Sequence, residues 1–299
     1  MIHITAGCKV NLGLRVTGVR ADGYHELDSF FYPLPSPCDH LGISLLEKPG
    51  LILRCNAPGI DLTCNTLTRA YAAFAEAAGG APGIELELKK GIPVGAGLGG
   101  GSSDAAALLL WLNSRLTRPF NQAGLIEIAL RVGADTPFFL QHSPCRVRGI
   151  GERLTPLAHD FSGYRLVLVC PDISVSTSWA FARYDELCAA PTATAAQKSL
   201  TKRPCKANGT SLPGPGGSEA ADAWSLREIG NDLEAAVFPR YPQLAAIKAD
   251  LLRLGADAAC MSGSGSSIVG VFGRAEAALA AKAAEALRKE KRRVFLLQL

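Results

Sequence analysis

Apolar positions along the first 90 residues follow two periods, and the switch between them predicts the order of elements. Ile2 to Leu14 reads as a strand with an interruption, Thr17 to Tyr24 (TGVRADGY) is rich in turn residues, and Leu27 to Leu34 is apolar and aromatic enough for a second strand. Leu41 to Glu47 and Gly50 to Cys55 are further short strand candidates. Ile84 to Lys89 (IELELK) alternates apolar with charged residues, the pattern of a strand with one buried face. Asn65 to Ala78 is alanine-rich and closes on Gly79 and Gly80, as a helix with a C-terminal stop does. Leu108, Leu109, Leu112 and Leu116 recur at helical spacing, with Ser102, Ser103 and Asp104 placed to cap the N-terminus. Gln122 to Val132 is an amphipathic helix leading into GADTPFFL.

Beyond Gly149 the pattern starts again. Arg165 to Cys170 is a short buried strand, Gln243 to Leu254 a helix, Ser267 to Phe272 a strand, Ala275 to Lys289 a helix and Val294 to Leu299 a final strand. This predicts a second α+β unit. Between the two, Ala190 to Ala223 carries almost no large apolar residue, so residues 190–223 are expected to be a mobile insertion and not a domain. No internal repeat is evident. The basic run Arg288 to Arg293 would complement the dipole at a helix C-terminus.

Composition narrows the function classes. The 299 residues suit one large or two medium domains, and 48% hydrophobic with 19% charged residues describes a globular chain. Thirty-one basic against 27 acidic residues leave a net charge of +4, which without a concentrated patch disfavours a nucleic-acid partner. Nine scattered cysteines with no CxxC spacing suit free thiols in a reducing compartment. The first residues lack the basic and apolar regions of a signal peptide, and no apolar run reaches about 18 residues, so a cytoplasmic protein without a membrane partner is expected. His3, His40, His142 and His159 show no metal-ligating spacing, so no metal residue is assigned.

The candidate chemistry lies in one glycine loop. Residues 95–100 match GxGxxG, but no acidic residue follows about 20 positions later to hold a ribose, and no lysine follows the glycines, so neither a Rossmann nor a Walker A site fits. What remains is the run Pro93, Val94, Gly95, Ala96, Gly97, Leu98, Gly99, Gly100, Gly101, Ser102, Ser103, which offers backbone N–H groups directly before a helix. Such a place favours phosphate, because unpaired donors and the positive end of the helix dipole converge there.

PVGAGLGGGSSDAA, at 93–106, resembles the ATP loop of the GHMP kinase superfamily. Four more segments extend the resemblance over nearly the whole chain: Lys9-Val-Asn11-Leu with ADGYHEL at 21–27, GADTPFF at 133–139, GIGERLTPL at 149–157, and GSGSS at 263–267. It implies an α+β fold of two domains: 1–160, like domain 2 of ribosomal protein S5 and carrying the ATP loop, and 161–299, ferredoxin-like. It implies ATP as cosubstrate with Mg2+ bound mainly by phosphate and water. Lys9, Asn11, Tyr24, His25 and GADTPFF point to a branch that phosphorylates a hydroxyl of a small cytidylated acceptor.

The resemblance also assigns roles. Asp135, which on its own reads as a turn residue before Pro137, matches the catalytic base. Lys9, an amine costly to bury in an apolar strand without a partner, would pair with it and orient the acceptor hydroxyl. Asn11, two residues on and so on the same face, would bind substrate hydroxyls or phosphate. Tyr24 and His25 would offer cytosine a flat face and an edge partner. Phe181 in VSTSWAF would supply the opposite face, with Trp179 and Tyr184 as neighbouring alternatives, and Phe31 is divided between pocket and core. GSGSS would close over phosphates from the second half.

Overall fold

The structure, a computed structural model, describes residues 1–157, 161–189, 226–290 and 292–299. The proposed insertion at 190–223, and His159, lie outside the described residues.

The first two strands are longer than the sequence suggested. β1 (Ile2–Val19) and β2 (His25–Leu46) form one antiparallel ribbon, joined by a turn in which Arg20 N–H donates to Tyr24 C=O at 2.7 Å. The turn is thus shorter than Thr17 to Tyr24, and the pieces read at 27–34 and 41–47 are one strand. Irregularities in the ribbon fall as register shifts between Ala6 and Cys8, Asn11 and Gly13, and Val16 and Gly18. Bulges of this kind re-aim side chains without ending the pairing.

β3 (Leu51–Cys55) runs parallel to β4 (Gly83–Lys89), and the sheet order is β3-β4-β2-β5-β6, with β1 on β2, β5 (Cys145–Gly149) and β6 (Arg153–Pro156). α1 (Thr66–Ala78) links β3 to β4. Its capping box follows from the sequence: Asn65 Oδ1 accepts from Leu67 N–H at 2.9 Å and Thr68 N–H at 3.1 Å, and Thr68 Oγ1 accepts from Asn65 N–H at 2.9 Å. α1, α2 (Gly100–Ser114) and α3 (Gln122–Val132) cover this sheet, burying Phe74, Leu108, Leu112 and Ile128 against Leu41, Ile43, Ile84 and Leu86. The cap expected at 102–104 is not formed. α2 opens from Gly99 in a left-handed conformation with no side-chain cap, so Ser102, Ser103 and Asp104 lie inside the helix. Three successive glycines let the helix begin earlier than its polar residues signalled. Leu116 lies past the helix end at Ser114.

The second sheet is antiparallel, ordered β10-β7-β9-β8: β7 (Arg165–Cys170), β8 (Ala258–Met261), β9 (Ile268–Phe272) and β10 (Arg293–Gln298). In chain order this is 4-1-3-2, the ferredoxin-like arrangement. Among the described residues four helices accompany it: α4 (Thr177–Ala189), α5 (Glu234–Val237), α6 (Pro242–Arg253) and α7 (Ala277–Lys289). At the end of α7, Arg288 donates to Val294 C=O, in keeping with cations at a helix C-terminus.

β1 is shared between the halves. Val10 and Leu12 pack in one cluster with Leu168, Cys260 and Val269. Farther along, Leu14 N–H donates to Gly230 C=O at 2.9 Å, Asp232 N–H to Leu14 C=O at 3.0 Å and Val16 N–H to Asp232 Oδ2 at 2.9 Å. Among the described residues, no helix is long and apolar enough to cross a membrane.

Candidate active site

The glycine loop runs from β4 into α2 and is held on two sides. Lys9 N–H, on β1, donates to Leu98 C=O at 3.0 Å, Ser267 N–H donates to Ala96 C=O at 3.1 Å, and Ser262 Oγ donates to Gly97 C=O at 3.0 Å. Glycine is required where the loops meet. Gly97 has φ 74°, and a Cβ there would lie 2.0 Å from the Ser262 carbonyl oxygen. The loop at 263–267 is therefore more than a strand-entry turn: it lies directly against the first glycine loop, and Gly263 and Ser264 line the same cleft. The first N–H groups of α2 have no partner within the helix and open toward this cleft of about 590 Å³, whose lining includes residues 93–102. A tetrahedral anion is the natural occupant of that end.

Lys9, Asn11 and Asp135 converge beside the loop. Lys9 Nζ, on a side chain 4% exposed, is 3.4 Å from Asp135 Oδ2 and 4.2 Å from the centre of the Phe31 ring. Its nearest partner is Asn11, whose Oδ1 accepts from Nζ at 2.5 Å while Nδ2 donates to Ser29 Oγ at 3.0 Å. Asn11 lines the cleft but spends its amide on holding Lys9. Asp135 precedes a short 3-10 turn (Thr136–Leu140) and makes no side-chain cap to it, so its carboxylate, 34% exposed, is left to the cleft. The reading of Asp135 as an ordinary turn cap is not what is seen. Phe31 is both core and wall: it is 4% exposed, meets Phe138 edge-on at 5.3 Å and lines the cleft.

His25, Phe181 and Asp185 form a second group, of which Phe181 lines the cleft while His25 and Asp185 are not among its lining residues. The rings of His25 and Phe181 stack at 4.6 Å with an angle of 28°, and His25 Nε2 is 2.8 Å from Asp185 Oδ1. Tyr24 stands apart in the turn, 60% exposed. Of the aromatic alternatives near Phe181, Trp179 faces Tyr241 and Arg240, and Tyr184 is buried in the core. Phe181 alone of the three lines the cleft.

Sequence reading missed a buried ion cluster under the loop. Lys90 Nζ pairs with Asp39 Oδ2 and, at 2.9 Å, with Asp104 Oδ2, while Asp39 Oδ1 accepts from Gly91 N–H at 2.7 Å and Ile92 N–H at 2.9 Å. Burial pushes the Asp104 carboxyl up to about 7, with the neighbouring Asp39 carboxylate adding to the rise and Lys90 opposing it. Two carboxylates and one ammonium thus meet in a dry place. Nothing in the spacing of 39, 90 and 104 signals this. Asp185 was also missed, though its position four residues after Phe181 on one helix was a usable sign.

Comparison with known proteins gives the family. Residues 65–142 match the GHMP kinases N terminal domain and residues 218–292 the GHMP kinases C terminal domain, the latter beginning inside the segment read as an insertion. A 4-diphosphocytidyl-2-C-methyl-D-erythritol kinase from Nitratidesulfovibrio vulgaris (strain DP4) is 45% identical over 94% of this chain and 93% of its own. The chain belongs to this kinase family. A second member, from Lawsonia intracellularis, is 42% identical over 90% of this chain and 88% of its own. A crystal structure of 4-(cytidine 5'-diphospho)-2C-methyl-D-erythritol kinase superposes with a TM-score of 0.73 at 33% identity, covering 99% of this chain and 98% of that one. Homoserine kinase from Cytophaga hutchinsonii, at 18% identity and a TM-score of 0.69 over 99% of this chain and 93% of its own, shares the fold. For the 4-diphosphocytidyl-2-C-methyl-D-erythritol kinase family, then, this member sets its glycine loop, a lysine–aspartate pair and Phe181, which stacks on His25, around one cleft.

Proposed function

We propose that the protein transfers the γ-phosphoryl group of ATP to the 2-hydroxyl of 4-diphosphocytidyl-2-C-methyl-D-erythritol. The observation that carries this is the Lys9–Asp135 pair, 3.4 Å apart at the edge of the glycine-loop cleft. Phosphoryl transfer to an alcohol needs a proton acceptor near the hydroxyl, positive charge near the transferring group and a fixed seat for the triphosphate. Asp135 accepts the hydroxyl proton. Lys9 lies close enough to orient that hydroxyl and to meet the charge that develops on the phosphoryl oxygens. Asn11 and Phe31 fix the ammonium, one by accepting from it at 2.5 Å and the other by offering its ring face at 4.2 Å.

The β- and γ-phosphates rest on the N–H groups between Gly95 and Ser103, in unit 1–160, and Gly263 to Ser267 of unit 161–299 backs that seat. Magnesium bound together with ATP would supply charge neutralisation for the phosphates. Among the residues lining the cleft, the Ser102 hydroxyl would help hold it, a sparse protein contribution suited to an ion that keeps most of its ligands from phosphate and water. Tyr24, His25 and Phe181 take the cytosine. Unpaired thiols, including buried Cys8 and Cys260, suit the reducing cytoplasm.

The test is ADP release with ATP and magnesium, offering the cytidylated acceptor, homoserine or mevalonate, with phosphorus NMR of the product. Turnover confined to the cytidylated acceptor is expected. Preference for homoserine or mevalonate would overturn the assignment within the superfamily.

A further inference from the structure

Helix α4 carries Thr177, Phe181 and Asp185 at four-residue spacing, and the first two line the cleft. Thr177 Oγ1 is 2.8 Å from Ser264 Oγ in the late glycine loop, Phe181 stacks on His25, and Asp185 reaches His25 Nε2 at 2.8 Å. Ala180 and Tyr184, on the adjoining face three residues after Thr177 and Phe181, are buried in the core, which fixes the rotation of the helix. One helix therefore holds the imidazole twice: Phe181 sets the plane of the ring, and Asp185 sets its direction within that plane. The His25 side chain is only 11% exposed, so it has little freedom to turn away.

An ionised carboxylate only accepts hydrogen bonds, so the contact with Asp185 requires the proton of a neutral imidazole to sit on Nε2. Nδ1 is then a lone-pair acceptor. Cytosine offers an amino donor at its 4-position, where uracil, like thymine, offers a carbonyl acceptor. An imidazole fixed in this tautomer welcomes the first and repels the second.

We propose that Asp185 is a positioning residue that holds His25 in its Nε2–H form and so sets the preference for a cytidylated over a uridylated acceptor. The proposal rests on the reading of the protein as a kinase of a cytidylated alcohol. It assigns the choice of base to a carboxylate that does not itself touch the base.

The experiment compares the wild type, Asp185→Ala and Asp185→Asn, using CDP- and UDP-linked methylerythritol as acceptors, with 15N NMR of the histidine ring as a readout independent of activity. In the wild type, Nε2 of His25 is expected protonated and Nδ1 bare. Asp185→Ala should give a mixture of tautomers and lose about ten-fold in preference for the cytidylated acceptor, chiefly through its KM, with the KM for ATP unchanged within about two-fold. Asp185→Asn keeps an oxygen that accepts from Nε2–H, and should retain most of the preference. Equal losses for both acceptors in Asp185→Ala, or an unchanged tautomer, would overturn the proposal. So would an asparagine variant as impaired as the alanine one, which would make charge and not tautomer the cause. Wild-type protein that neither turns over the cytidylated acceptor nor binds CDP in a titration would instead overturn the functional reading, while the NMR result would still report on Asp185 and His25.

Discussion

Replacing Asp135 with asparagine keeps shape and hydrogen bonding but removes a negative charge 3.4 Å from a nearly buried ammonium. At that distance two unit charges interact by about 5 kcal/mol at an effective dielectric constant of about 20. Asp135 is 34% exposed, so solvent screens the pair, and about 1 to 2 kcal/mol is the coupling to expect. Loss of a positioned base costs about 10²- to 10⁴-fold in rate, so kcat of Asp135→Asn should fall at least about 100-fold, with binding of ATP and acceptor held within several-fold. Lys9→Met should also slow turnover. The double variant should be about ten-fold more active than the product of the two single losses, because the residues act as a unit. Stability separates chemistry from folding. Asp135→Asn leaves the Lys9 ammonium without its counter-charge and should cost about 1 to 2 kcal/mol, whereas Lys9→Met removes a buried charge and should change stability by less than about 1 kcal/mol. Steady-state kcat paired with urea unfolding in the same buffer reads both. Near-wild-type kcat in Asp135→Asn would refute the base and leave positioning and charge neutralisation as the catalysis, and losses that simply multiply would refute the coupling.

Gly97→Ala should cost about 2 kcal/mol or more and raise the KM for ATP at least about ten-fold, since a left-handed alanine is strained and its Cβ would meet the Ser262 carbonyl oxygen at 2.0 Å; an unchanged KM would mean the loop does not seat the triphosphate. Tyr24→Ala should weaken CDP binding by about 1 to 3 kcal/mol while ATP affinity and the melting temperature stay put, because this ring is 60% exposed and stacks on nothing in the core; equal losses for both ligands in calorimetry would speak against base stacking. For Asp104, whose carboxyl is pushed from 3.8 up to about 7, the folded chain binds a proton that the unfolded chain has released. Its stabilising contribution is full below the unfolded value and is lost as pH rises through the folded one, so wild type should lose more stability than Asp104→Asn between about pH 5 and about pH 8 in paired urea titrations.

Chemistry that depends on backbone and on neighbours in sequence was legible before the structure. The glycine run, the helix that closes on Gly79 and the span Gln122–Val132 all follow from local rules. What escaped was long-range. The bulges that keep β1 and β2 in one ribbon depend on what each strand faces, and the close approach of Phe139 and Lys9 to Gly99, which leaves little room for a Cβ there, lies outside any window around residue 100. Lys9 was legible because an amine in an apolar strand asks for a partner. Lys90 was not, because it sits at the end of a strand, where an exposed lysine is ordinary. The resemblance supplied what spacing could not: that positions 9 and 135 meet.

Because β1 belongs to both halves, the order in which the ribosome delivers the chain matters. Val10 and Leu12 are among the first residues made, yet part of the surface that covers them, Cys260 and Val269, is among the last. Ser262 and Ser267, which brace the first glycine loop, arrive equally late. A nascent or truncated chain that ends before these residues has a nucleotide loop with half its support missing and an apolar strand face open to water. Such a chain can form helices α1 to α3 over their sheet, but it has no finished place for a triphosphate. On the proposed seating of ATP, a chain cut short before Ser262 should therefore fail to hold the nucleotide.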